Sequence, residues 1–133
     1  MKLSMKSEYA CLALIELSEN YDKGVVKIEA ISKRKGIPKK FLEQILLTLK
    51  RAGYLRSKRG NKGGYWLAKD PGEITVAEVL RLMDGPLSPV DSVSHYFYRP
   101  TPFERHPQLL KLFRDVRELI INKMETTSFA ELL

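Results

Sequence analysis

The chain has 133 residues, 44% of them hydrophobic and 29% charged, and 23 Lys plus Arg outweigh 16 Asp plus Glu to give a formal charge of +7 at pH 7. That length predicts one ordinary domain with an appendage, and no apolar run approaches the ~20 residues that a membrane-spanning helix needs. A single cysteine, Cys11, excludes an intramolecular disulfide and any cysteine-rich zinc site or cysteine-ligated metal cluster.

In chain order, the first expected element is a helix over about residues 6–21, where Ala10, Ala13, Leu14, Leu17 and Tyr21 recur at helical spacing and require one buried face. Glu8 and Glu16 interrupt the apolar run of this segment and no small-residue cleavage site follows. It therefore reads as a structural helix of a cytoplasmic protein, not as a secretory signal. After the Asp22-Lys23-Gly24 turn, residues 25–28 are expected to be extended and residues 29–35 to form a short helix presenting Ala30 and Ile31 and stopped by Gly36. Pro38, expected at the N1 position, opens a stronger helix to Ala52, with Phe41, Leu42, Ile45, Leu46, Leu49 and Ala52 as its apolar stripe and Gly53 beyond its end. Short helix, glycine turn and longer helix form a helix-turn-helix pattern. Residues 54–59 and 65–68 read as two strands around Gly60-Asn61-Lys62-Gly63-Gly64, a basic and glycine-rich hairpin placed where a wing would be.

Thr75-Val76-Ala77-Glu78 has the form of a capping box, and Val76, Val79, Leu80 and Met83 continue at helical spacing up to Gly85-Pro86. Five of the seven prolines then fall in residues 86–107, interleaved with Tyr96, Phe97, Tyr98 and Phe103. Such a connector is too aromatic for a disordered linker. A long helix to Met124, starting near Thr101 or His106, carries Leu109, Phe113, Val116, Ile120 and Met124 on one stripe with Leu112 and Leu119 beside it, and a short helix is expected over residues 128–132. The expected fold class is mainly α with a small β-hairpin. It divides into a winged helix-turn-helix DNA-binding domain over residues 1–85, a proline- and aromatic-rich connector over 86–107, and a dimerisation helix with a short terminal helix over 108–133.

The charge is concentrated in one segment. Residues 1–66 carry 15 basic and 6 acidic side chains, whereas residues 67–133 carry 8 and 10. Within residues 33–62, eleven basic side chains face Glu43 alone. One-signed clustering attracts a polyanion, and no basic amphipathic stretch has the exposed aromatic face of an interfacial helix, so double-stranded DNA is expected and a membrane is not. In a winged helix-turn-helix the second helix enters the major groove by its N-terminal residues, which nominates Lys39, Lys40, Glu43 and Gln44. Lysine can read guanine, Glu43 can accept from cytosine N4, and Gln44 can read adenine. Glu43 fits either base readout or an i, i+4 pair with Lys39. Lys50, Arg51, Arg56 and Lys58 are expected phosphate contacts, and Arg59 and Lys62 are wing residues able to enter the minor groove.

The long stripe of Leu109, Phe113, Val116 and Ile120 needs a cover, either its own domain or a second subunit. A homodimer on a pseudo-palindromic site is the expectation. No catalytic or phosphate-loop spacing occurs, and His95 and His106 have no cluster of Asp, Glu or Cys around them, so neither an enzyme nor a bound cofactor or metal is expected. Cys11, within an apolar helix, reads as a small core residue.

The segments MKLSMKSEYACLALIEL, FLEQILLTLKRAGYLRSKRGNKGGYWLAKDPGEITVAEVLRLMDGPLSPVD and TTSFAEL resemble the Rrf2 family of bacterial winged helix-turn-helix regulators over nearly the whole chain. The most specific part is Leu42-Glu43-Gln44 followed at fixed distance by Arg59-Gly60 and Gly63-Gly64-Tyr65. The resemblance implies a transcriptional regulator, a repressor, with Glu43 similar to the family's base-reading acid and Arg59 to its wing arginine. Pro38 and Lys40 stand where the family often has small polar residues. Cluster-binding members carry three connector cysteines, whereas Pro89-Val90-Asp91-Ser92 here leads to none, and Leu110 stands roughly where some members place a histidine ligand. The resemblance thus points to the clusterless, CymR-type branch, answering to another input such as a regulatory protein or small molecule. Tyr96, Phe97, Tyr98 and Phe103 are candidates for that input or for part of a dimer interface. The other readings are a metal- or cluster-sensing regulator with non-cysteine ligands and a winged-helix module for protein interaction.

Overall fold

Ser4 sets the start of the first helix: its hydroxyl accepts from the Ser7 amide at 3.2 Å and satisfies one of the unpaired donors of the first turn. The computed structural model describes residues 2–133. Helix α1 runs Met5–Glu19 and buries Ala10, Ala13, Leu14 and Leu17, as the spacing predicts. It stops two residues short of Tyr21, because Asn20 turns its side-chain amide back onto the Glu16 carbonyl at 2.8 Å and Asp22 adopts a positive φ of 60°. Tyr21 is therefore in the turn, half-buried.

Helix α2, Ile28–Lys35, ends at Gly36 in the left-handed region with φ 65°, and the Ile37 amide donates to the Ser32 carbonyl at 3.0 Å. Helix α3 spans Lys39–Arg51. Pro38 is its N-cap, not its N1 residue: its ψ of 131° is extended, so the helix begins one residue later than the sequence pattern suggests. At the other end Gly53, with φ 90°, and Tyr54 donate to the Lys50 and Leu49 carbonyls, each at 3.0 Å, closing a Schellman motif. Leu42, Ile45, Leu46 and Leu49 are buried. Phe41 and Ala52, expected on the same stripe, are exposed; each residue turns ~100° around a helix, and the four buried positions already complete the inward face.

Strands β1, Leu55–Lys58, and β2, Gly64–Leu67, pair antiparallel with Leu55 opposite Leu67 and Lys58 opposite Gly64. Leu55 and Leu67 point into the core, and Arg56 opposite Trp66 points out. The other edge of β2 is bridged by Val26, which exchanges two 2.8 Å hydrogen bonds with Tyr65. After a 3₁₀ turn at Pro71–Glu73, helix α4 covers Val76–Asp84 with the predicted capping box formed: Glu78 accepts from the Thr75 amide and Thr75 Oγ accepts from the Glu78 amide.

Helix α5, Pro107–Glu125, starts at His106, whose Nδ1 accepts from the Leu109 amide at 3.1 Å, and a separate 3₁₀ turn at Pro102–Arg105 precedes it. The connector also contains a 3₁₀ turn at Asp91–Val93. The terminal helix expected over residues 128–132 is a shorter 3₁₀ turn, Ala130–Leu132. What matters there is Phe129, fully buried in the larger core with α1, α2, α3 and the hairpin. Two backbone bonds hold the tail beside α4, from the Phe129 amide to the Ile74 carbonyl and from the Val76 amide to the Thr127 carbonyl, both 3.0 Å. Burying that ring contributes on the order of 2–3 kcal/mol, so Phe129 belongs to the core of the winged helix although residues 130–133 after it are exposed. A smaller core joins Ala77 and Leu80 of α4 to Leu87 and to Ile121 of α5.

Candidate nucleic-acid interface

Lys39, Lys40, Glu43 and Gln44 all lie exposed in the first two turns of α3, and Arg51 is exposed in its last turn. Arg56, Lys58, Arg59 and Lys62 are exposed along β1 and its turn. Lys50 also faces outward, and its Nζ donates to Ser57 Oγ at 2.6 Å, tying the end of α3 to the wing strand. The recognition helix and the wing thus form one continuous basic surface.

Its free charge is smaller than the local count implies. Arg34 pairs with Glu16 at 2.9 Å and Lys39 with Glu29 at 3.2 Å, using two acids that lie outside the basic segment. Lys39 is therefore engaged across the helix-turn-helix and not with Glu43. Among the described residues Glu43 forms no ion pair, and neither do Lys40, Arg51, Arg56, Lys58, Arg59 or Lys62. Glu29 is held below the usual carboxylate range by a backbone hydrogen bond and by Lys39.

The wing turn needs its glycines for space. A Cβ on Gly63 would lie 2.1 Å from the Lys58 carbonyl oxygen, and one on Gly64 would lie 2.6 Å from that of Val26. Both are backbone atoms that cannot move aside, so only glycine lets the hairpin fold back this tightly. Gly60 supplies the positive φ, 101°, at the tip.

Leu109, Phe113, Val116 and Ile120 of α5 are half-buried. Phe113 stacks on Phe103 with centroids 4.9 Å apart, and Ile120 packs on the smaller core. The most exposed apolar side chains of this helix are Leu112 and Leu119, at 55% and 72%. Arg117 is buried instead: one guanidinium nitrogen donates to the Val93 carbonyl at 2.7 Å and another meets Glu118, which also faces His95 Nε2 at 3.5 Å. Arg117 thereby pins the connector to α5. Of the connector aromatics, Tyr96, Phe97 and Tyr98 are exposed, with the Arg81 guanidinium 5.2 Å from the Tyr96 ring and the Tyr98 hydroxyl donating to Glu104.

The position that sequence reasoning missed is Phe41. Its ring meets the edge of Tyr9 of α1, centroids 6.0 Å apart at 65°, while half of its surface faces outward beside Lys40 and Gln44. The signal was available, since Leu42, Ile45, Leu46 and Leu49 complete an i, i+3, i+4, i+7 stripe without it.

Residues 3–133 match the model of the Rrf2 family, described as iron-dependent transcriptional regulators. The chain belongs to the Rrf2 family. An rrf2-like HTH-type transcriptional regulator of Rhodobacter capsulatus is 41% identical over 101 residues, covering 74% of this chain and 67% of that protein. IscR of Cronobacter sakazakii is 40% identical over 84 residues, which are 63% of this chain and 52% of IscR. CymR of Bacillus subtilis, whose structure is described as that of the global cysteine regulator, is 28% identical and superposes with a TM-score of 0.80 over 99% of this chain and 95% of CymR. The winged helix described above is thus the DNA-binding fold of an Rrf2 transcriptional regulator.

The family's description as iron-dependent can be tested against the donors present. The one thiol, Cys11, is half-buried in α1, far along the chain from the connector, and burial with the Asp84 charge pushes it up to about 11. Among the described residues no group of three His, Cys, Asp or Glu side chains is arranged to hold a metal ion. His106 spends its Nδ1 lone pair on capping α5. This donor set does not fit a thiolate-held iron centre. Among the described residues, no helix is long and apolar enough to cross a membrane.

Proposed function

We propose that this Rrf2 regulator binds a pseudo-palindromic operator as a homodimer and represses by occupying it, and that it does so without a cysteine-ligated cluster. The observation that carries the DNA contact is the unpaired basic surface around an exposed Glu43 and Gln44. Six cations with no protein counterion release condensed ions when they meet phosphate, and an acid that pairs with none of them suits base readout better than backbone binding. Lys40, Glu43 and Gln44 read base edges, with Lys39 beside them and its charge shared with Glu29. Lys50, Arg51, Arg56 and Lys58 contact phosphate, and Arg59 and Lys62 reach from the wing into the minor groove.

The dimer contact is assigned to α5. Leu109, Leu112, Val116 and Leu119 are spaced by 3, 4 and 3 residues, the pattern of a helix-pairing seam. Phe113 and Ile120 back that seam from within the subunit. The exposed Tyr96, Phe97 and Tyr98 belong to the connector that Arg117 pins to α5, and are assigned to signal input from a regulatory protein or small molecule.

Selection of bound genomic fragments followed by salt titration of the affinity tests this reading. Arg59→Ala and Lys62→Ala are each expected to lower the log-log salt slope by ~1, because a cation held in the minor groove between the phosphate rows also displaces condensed counterions, and Glu43→Ala to alter sequence preference with the slope kept. Wild-type protein that selects no sequence, or variants with unaltered slopes, would overturn it.

A further inference from the structure

The exposed ring of Phe41 lies on the basic surface but has no part in phosphate binding. It is 51% exposed in the first turn of α3, flanked by Lys40 and one turn from Gln44. A large apolar side chain left half in water next to Lys40 calls for an explanation when a second ring holds it in place. Tyr9, itself packed against the larger core, meets the ring edge-on at a centroid distance of 6.0 Å, which limits the rotamers Phe41 can adopt. Of the outward side chains beside it, Lys40 is a cation without an ion-pair partner and Gln44 is an exposed amide, so this part of the surface is complementary to a polyanion and its base edges and not to an apolar protein face.

The only strongly apolar group that the major groove offers is the C5-methyl of thymine. We infer that Phe41, braced by Tyr9, reads a thymine methyl in each operator half-site beside the bases read by Lys40 and Gln44. This rests on the DNA-binding reading above and adds to it a specificity contact of a different chemistry. Covering one methyl group releases about 0.8 kcal/mol, which at 1.36 kcal/mol per tenfold is roughly a four-fold preference per half-site.

The test uses full-length protein and an operator taken from fragment selection. Each thymine is replaced in turn by deoxyuridine, which removes the methyl and leaves every hydrogen-bonding group. Wild-type protein is expected to lose about four-fold in affinity at one thymine per half-site. Phe41→Ala is expected to bind the thymine site more weakly, with an unchanged salt slope, and to treat thymine and deoxyuridine alike at that step. Phe41→Leu, which keeps an apolar side chain, is expected to retain part of the discrimination. If no thymine is sensitive in the wild type, or if Phe41→Ala keeps the same sensitivity, the inference falls while the DNA reading stands. A wild-type protein that selects no sequence removes both. The decisive comparison is made on wild-type protein, so it does not depend on the folding of a variant.

Discussion

Arg34, in the last turn of α2, reaches the Glu16 carboxylate of α1 at 2.9 Å, and the Glu16 side chain is only 4% exposed. Asn20 Nδ2 donates to the same oxygen at 2.9 Å. The pair fixes the first helix of the DNA-binding motif to the helix behind it, and it takes one cation away from the DNA surface. Removing Arg34 leaves a buried charge with a single amide partner, whereas Glu16→Gln removes the charge itself. Arg34 is more than half exposed, which reduces the electrostatic gain. Arg34→Ala is expected to cost about 1–2 kcal/mol and Glu16→Gln less. Urea denaturation of both variants and the double variant checks this; equal losses would assign the pair no special role.

At the wing, Gly63→Ala and Gly60→Ala separate two reasons for glycine. Gly63 has a backbone oxygen 2.1 Å from where a Cβ would sit, while Gly60 has open space but a φ of 101°. The first substitution is expected to cost about 2 kcal/mol or more by forcing the hairpin open, and the second about 1 kcal/mol of local strain. Thermal melting ranks them, and Gly63→Ala should also lose more DNA affinity because the turn carrying Arg59 and Lys62 moves.

Tyr54 donates its hydroxyl to Glu78 at 2.7 Å, and the same Glu78 closes the capping box of α4. Burial alone would raise the Glu78 carboxyl, but hydrogen bonds from the Thr75 amide, the Tyr54 hydroxyl and Thr75 Oγ, with the Lys69 charge, hold it below its ordinary 4.5. Burial, then the Glu78 contact, pushes Tyr54 far above the usual tyrosine range. A carboxyl depressed in the folded state contributes stability that is present above its unfolded value and lost as pH falls through its folded value. Glu78→Gln is therefore expected to lower stability near neutral pH and to flatten the loss of stability below about pH 4.5. Urea midpoints from pH 3 to 7 measure it, and parallel curves for wild type and variant would contradict it.

Leu119, at the C-terminal end of the proposed dimer seam, is its most exposed member at 72%. Leu119→Lys is expected to yield a folded monomer with a melting temperature close to that of the dissociated wild type and with much weaker operator binding. Sedimentation velocity at micromolar concentration reads the outcome. A variant that remains dimeric moves the interface elsewhere.

Burial first, and then the negative charge of Asp84, raise the Cys11 thiol from 9.0 to about 11. The thiolate fraction at pH 8 falls by about two orders of magnitude relative to an unperturbed thiol. Iodoacetamide labelling at pH 8 is expected to be correspondingly slow and to accelerate in denaturant, and fast labelling of the native protein would place Cys11 in a more open site.

The sequence alone determined the order of elements, because their signals are local. A capping box at Thr75 and Glu78, glycines at positions 36 and 53 where the chain must turn left-handed, and period-3.6 or period-2 patterning each act within a few residues. The basic recognition helix and wing were legible for the same reason, and so was the resemblance that the family match bears out. Tertiary structure decided which charges remain free. Glu16 and Glu29, 18 and 10 residues from Arg34 and Lys39, neutralise cations that a window count left unpaired. It also decided which apolar residues are core, turning Phe41 outward against Tyr9 and bringing Phe129 from the chain's end into the main core. Helical spacing gives the angle of a side chain about its own axis, but what that side chain meets depends on how distant elements dock, and docking is a property of the whole chain.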